Sequence, residues 1–167
     1  MSASTVFATT ENYVKGGVEI TGRESPEHYL FSNMFEVAAS SEPWERIVLA
    51  KNLEFTIEVM RAEGSSPWFA CSHDETALIV QGSSSIHFIK PDDASKIPAH
   101  DKDGAVMLSS EPDGKKMGHI NANCGHLALL PGGAAYRFQT DELSVVLIQS
   151  VLGDISIEKW AEICQTA

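Results

Sequence analysis

The chain is 167 residues long, 43% hydrophobic and 21% charged, an ordinary globular composition for one domain with room for a core. Its 12 Lys and Arg against 23 Asp and Glu give a net charge of -11, which repels phosphate backbones and anionic lipid surfaces and excludes nucleic acid and membrane as partners. Cys71, Cys124 and Cys164 form neither a disulfide framework nor a CxxC pair, and the first residues lack the basic start and apolar run of a signal peptide, so a cytoplasmic location is expected.

Residues 1–42 read as an irregular N-terminal arm, broken by Gly16, Gly17, Gly22 and Pro26. The stretch HYLFSNMF, 28–35, is rich in large apolar groups and reads either as a lid over the protein's own core or as an arm packing on another subunit.

A barrel is expected over 43–150. Leu53, Phe55, Ile57 and Val59 alternate with Glu54, Thr56, Glu58 and Met60, the period of a strand with one buried face and one largely polar face. Residues 77–80 and 86–89 read as two more strands joined around Gly82, with His87 in the second as a surface or hydrogen-bonded residue. An irregular insertion, 91–124, carries a short apolar strand at 105–108; His100 and His119 lie in it without an assigned role. Residues 127–130 and 134–138 read as a β-hairpin closed by Pro131, Gly132 and Gly133, which combine a fixed φ with access to positive φ. Residues 143–148 form a nearly continuous apolar strand. Ile157, Trp160, Ala161 and Cys164 then fall at i, i+3, i+4 and i+7, which predicts a short C-terminal helix within 151–167, with Ser156 as its N-cap.

The spacing in GHLALLPGGAAYRFQT, 125–140, resembles the second signature of the cupin superfamily, G(X)5PXG(X)2H(X)3N, with Tyr136 in place of the metal-binding His and Thr140 in place of the Asn. Upstream, 64–82 resembles the first signature, G(X)5HXH(X)3-4E(X)6G: Glu75 is followed after six residues by Gly82. The His pair is absent. Depending on the count, its positions fall on Phe69 and Cys71, on Trp68 and Ala70, or on Ala70 and Ser72. The resemblance implies a single, mainly β domain, a cupin-type jelly-roll barrel.

Cupin dioxygenases hold iron through two His and one carboxylate. Of the ligand positions here, Phe69, Cys71, Glu75 and Tyr136, only Glu75 is a family ligand, so no metal, cofactor or catalytic residue is expected in this chain. Two other arrangements stay open. Tyr136 as a phenolate would need further ligands to hold ferric iron, since its ordinary pKa is about 10. Cys71, His73, Cys124 and His126 form a repeated CxH of tetrahedral zinc type, although the expected hairpin register sets His126 about 10 Å from Tyr136.

The whole sequence, including YLFSNMFE at 29–36 and PWFACSHDETALIVQG at 67–82, resembles the small subunit of the two-component hydroquinone dioxygenases. The resemblance implies a larger cupin partner that carries Fe(II) in an α2β2 assembly, and opening of the hydroquinone ring by dioxygen to 4-hydroxymuconic semialdehyde during 4-nitrophenol or 4-hydroxyacetophenone degradation. It leaves this chain, inactive alone, to stabilise or complete the partner, with 29–35 as its expected contact. The competing expectation is a self-sufficient, metal-free cupin, an isomerase or sensor, binding a small molecule among Tyr136, Glu75 and His87.

Overall fold

The computed structural model describes residues 8–14 and 33–159. One short helix, α1 (Met34–Ser40), precedes ten strands: β1 (Arg46–Asn52), β2 (Phe55–Ser65), β3 (Trp68–Cys71), β4 (Glu75–Gln81), β5 (Ser83–Pro91), β6 (Ala105–Leu108), β7 (Gly114–Asn123), β8 (Leu127–Leu130), β9 (Ala135–Val151) and β10 (Ser156–Ile157). The long strand β9 belongs to both layers of the barrel. Its first residues pair with β3 and β5, and its later ones with β2 and β4. One layer therefore runs β10-β1-β2-β9-β4-β8 and the other β6-β3-β9-β5-β7. This is the mainly β, cupin-type architecture that the two signatures imply.

The main core lies between the layers, built from Trp44, Met60, Phe69, Ile79, Ile86, Phe88, Leu130, Tyr136, Phe138, Val146 and Ile148. A second cluster lies outside the first layer, where α1 presents Phe35, Val37 and Ala38 to Ile47, Leu49, Val59 and Val145. Asn33 starts α1 by accepting a hydrogen bond from the Phe35 amide at 3.0 Å. Phe35 is thus core, so the described end of the 28–35 stretch acts as a lid on its own barrel. Residues 15–32, and with them most of the expected subunit contact, lie outside the described residues.

Three expectations are corrected. The strands at 127–130 and 134–138 do not pair with each other: β8 pairs with β4, while β9 begins against β3 and β5. Pro131, Gly132 and Gly133 instead carry the chain from one layer to the other across the β3–β4 loop. A Cβ on Gly132 would lie 2.9 Å from the backbone of Ser72 and His73, Gly133 has φ +73, and its amide donates to the Cys71 carbonyl at 2.8 Å. Close approach at Gly132 and positive φ at Gly133, rather than hairpin reversal, require the glycines. Next, Ser156 and Ile157 start no helix; they pair with Arg46 and Ile47 as β10, while residues 160–167 lie outside the described residues. Finally, the 91–124 insertion contains a regular ten-residue strand, β7, whose polar side chains hide its period; it pairs along the whole of β5.

The β2 strand departs most informatively. Its alternation holds, but Thr56, Glu58 and Met60 are the fully buried, inward residues, and Phe55 and Ile57 are exposed. The polar face points into the barrel.

Candidate functional site

A charged cluster sits where a cupin barrel converges. Arg46, at the start of β1, is 2% exposed, and Glu58 of β2 and Glu75 of β4 are buried beside it. The Arg46 Nε donates to Glu58 at 2.5 Å, Nη2 to Glu75 Oε1 at 2.7 Å, and Nη1 to the Tyr136 hydroxyl at 3.2 Å. Tyr136 in turn donates to Glu75 Oε2. Glu58 Oε1 accepts from Thr56 at 3.0 Å and from Ser156 at 2.5 Å, which ties β10 to the cluster. All three guanidinium nitrogens and all four carboxylate oxygens are engaged.

Satisfaction of every group is what makes the burial tolerable. An uncompensated buried charge costs several kcal/mol, whereas an ion pair with its remaining hydrogen bonds filled comes near to balance. Burial pulls the Arg46 pKa down, but its neighbours Glu75, then Tyr136 and Glu58, reverse this and hold it well above its ordinary value. For Glu75, burial acts to raise the pKa and is outweighed by the Arg46 charge and hydrogen bond, so the carboxyl stays below its usual range. Burial, then the Glu75 charge, pushes Tyr136 well above 10, which keeps it a neutral phenol able to donate.

Of the degenerate ligand positions, Glu75 and Tyr136 are brought together, and the Phe69 ring packs at a tilt against Tyr136, 5.7 Å between ring centroids. Cys71, His73 and Glu75 place one ligand atom each within 4.8 Å of one another. This set does not fit a divalent ion. Both Glu75 oxygens are committed, the Arg46 cation lies against them, and burial followed by the Glu75 charge raises the Cys71 thiol to about 11. Deprotonating that thiol and expelling the guanidinium would both oppose metal binding.

The four-ligand zinc arrangement fails as well. The Gly125 amide bonds the Ile79 carbonyl and Cys124 Sγ bonds Val80, whereas Cys71 and His73 lie before Glu75 at the other end of β4, about 13 Å away at strand rise. His87 is not in the interior. It pairs with Arg137 on β9, next to the inward Tyr136, and therefore faces outward with His119.

Sequence reading missed Arg46, Glu58, Thr56 and Ser156. The signal was present in β2, where Thr56 and Glu58 share a face with Met60, but polar residues at strand period read as solvent-facing unless their partner is known. Arg46 precedes the apolar run IVLA and carries no motif.

No protein-family model and no curated protein sequence matches the chain. Among solved structures, hydroquinone 1,2-dioxygenase from Sphingomonas sp. TTNP3 with 4-hydroxybenzoate bound is similar at 46% identity, covering 99% of both chains, with a TM-score of 0.88. The chain belongs to the hydroquinone 1,2-dioxygenase family. Hydroquinone 1,2-dioxygenase PnpCD in complex with Cd2+ and 4-hydroxybenzonitrile is similar at 44% identity over 99% of this chain and 98% of that one, TM-score 0.86. In PnpCD in complex with Fe3+, a longer chain shares the fold at 13% identity and a TM-score of 0.57, over 87% of this chain but only 40% of its own length. A family enzyme thus contains a chain of this size and a longer chain of the same fold, its structures holding Cd2+ or Fe3+, and membership makes this protein a component of a ring-cleavage dioxygenase complex. Among the described residues, no helix is long and apolar enough to cross a membrane.

Proposed function

We propose that this chain is the non-metal-binding small subunit of a heteromeric, Fe(II)-dependent hydroquinone ring-cleavage dioxygenase, whose iron is held by a larger cupin subunit in an α2β2 assembly. The observation that carries this reading is the Arg46 guanidinium bound to Glu75 and Tyr136, a fixed organic cation among residues aligned with cupin ligand positions. In the complex the partner's iron would supply dioxygen activation beside the bound phenol, converting hydroquinone to 4-hydroxymuconic semialdehyde in the degradation of 4-nitrophenol or 4-hydroxyacetophenone. This chain contributes a rigid barrel that stabilises the partner. It has no catalytic residue of its own.

An exposed apolar face among the described residues supports the partnership. Leu129, Thr76, Gln149 and Ile57 follow one another across β8, β4, β9 and β2, with Leu127, Leu78 and Leu147 in the neighbouring row. Leu127 is 68% exposed, Phe55 61% and Leu129 54%. Such a patch on a single-domain chain fits a subunit interface. Phe35 is core, so this patch takes its place in the contact assigned to the larger subunit, while residues 29–32 of the expected contact lie outside the described residues.

The competing reading, a self-sufficient small-molecule cupin, needs polar groups inside the barrel with bonding capacity to spare. Arg46, Glu58, Glu75 and Tyr136 are spent on one another, and Phe69, Phe88 and Phe138 fill the rest. Co-expression with the larger cupin chain tests the proposal: the two should co-purify in equal amounts and cleave hydroquinone only together. Turnover by either chain alone, or a homo-oligomer that ignores the larger chain, would overturn it.

A further inference from the structure

On the outer face of the second layer, away from the Arg46 cluster, a cleft of about 160 Å³ is lined by Trp68, His87, Glu111, Lys116, His119 and Arg137, with Phe88, Ile89 and Gly118 completing it. Register explains why these groups meet. His87 of β5 lies opposite both Arg137 of β9 and His119 of β7, so two imidazoles and a guanidinium form one row. The imidazole rings are 5.4 Å apart. A bulge shifts the β5–β7 register between Phe88 and Ile89, opposite Gly118, whose φ of +119 and lack of a side chain leave the cleft open.

Two of the lining residues carry a buried donor with no hydrogen-bond partner among the described residues: the Trp68 indole Nε1 and the Arg137 Nε. Trp68 is 6% exposed, and the Arg137 guanidinium carbon lies 4.9 Å from its ring centroid. Buried donors left unpaired are costly, and both belong to residues that line the cleft. The acidic group at hand, Glu111, reaches Arg137 only at 3.8 Å and through Nη1. On a chain of net charge -11, a cleft holding Arg137, Lys116 and two histidines against one carboxylate is a local inversion of sign.

We propose that this cleft is a binding site for a single carboxylate group, received by the Arg137 guanidinium and Lys116 beside the Trp68 ring and flanked by His87 and His119. The volume admits one small acid or the end of one acidic side chain. Free organic acid and a carboxylate presented by the larger subunit share this chemistry. Burial, then the charges of Arg137 and His119, lower the His87 pKa, with Lys116 adding to this and Glu111 opposing it. A bound carboxylate reverses that balance, so binding takes up protons and tightens as pH falls from 8 towards 6.

The inference does not rest on the subunit reading. Its test is an NMR titration of the full-length chain with sodium acetate at constant ionic strength, following the His87 and His119 ring protons, with chloride as control. A saturable acetate shift is expected, at least tenfold weaker in Arg137→Gln and weakened in the exposed-site variant His119→Ala, with both variants checked for folding by circular dichroism. Repeating it on the complex separates the sources: persistence assigns a free acid, and loss on assembly assigns a carboxylate of the larger subunit. No saturable shift, an equal response to chloride, or unchanged affinity in both folded variants would overturn the proposal.

Discussion

Arg46 and Glu75 meet at 2.7 Å inside the barrel, the guanidinium resting on the one cupin ligand position that keeps its carboxylate. A divalent ion would claim the same oxygen. The protein has fixed its internal cation covalently, as a side chain delivered by β1, and with it gains a charge that does not dissociate.

Removing that cation should be severe. Arg46→Met leaves Glu58 and Glu75 buried without a counter-charge, and a loss of about 3–5 kcal/mol is expected. At 167 residues this corresponds to a Tm fall of roughly 6–20 °C. Thermal unfolding should also show that Arg46→Met/Glu58→Gln/Glu75→Gln recovers part of the loss, because it removes the repulsion that the single change creates.

Acid should act through Glu75. Its folded pKa lies below the ordinary carboxyl value of about 4.3, so the stabilisation from pairing is fully present above that value and lost as pH falls through the lower, folded one. Urea midpoints between pH 7 and 3 should fall steeply in the native protein and less steeply in Glu75→Gln.

Alkali should act through Tyr136 in the opposite direction. With its folded pKa raised, the neutral phenol contributes stability below about pH 10, and this fades as pH rises from there towards the folded value. Tyr136→Phe should flatten the alkaline limb while costing about 1–3 kcal/mol at neutral pH, because Glu75 Oε2 loses its donor.

Thiol chemistry should separate the two described cysteines. Cys71 is buried with a pKa raised to about 11, and Cys124 is exposed. In a Cys164→Ser background, a disulfide reagent at pH 8 should label Cys124 promptly and Cys71 only on unfolding, as mass spectrometry of the labelled peptides would record.

How much of this was legible depended on what each residue needs to declare itself. Glu75–Gly82 and Pro131–Gly133 carry the barrel because turn and spacing constraints are local, so the fold could be read from them. The same local signal misled at Pro131–Gly133, where a hairpin and a crossing between layers require the same glycines and only β8's pairing with β4 distinguishes them. In the candidate site, Glu75 and Tyr136 were visible through the signatures. Arg46 and Glu58 were not, since their burial is sanctioned only by each other across β1 and β2, and neither residue alone departs from a solvated strand position. The His87–His119 pair was hidden for a similar reason: it exists through the β5–β7 register, and polar β7 gave no strand period.

The most direct test of Arg46 as the resident cation is the iron content of the purified complex after its two subunits are separated under non-chelating, anaerobic conditions. Iron following the larger subunit, with this chain metal-free at full yield, is the predicted result. Iron retained at one atom per copy of this chain would contradict it, because the Arg46–Glu75–Tyr136 cluster leaves no vacant donor to hold it.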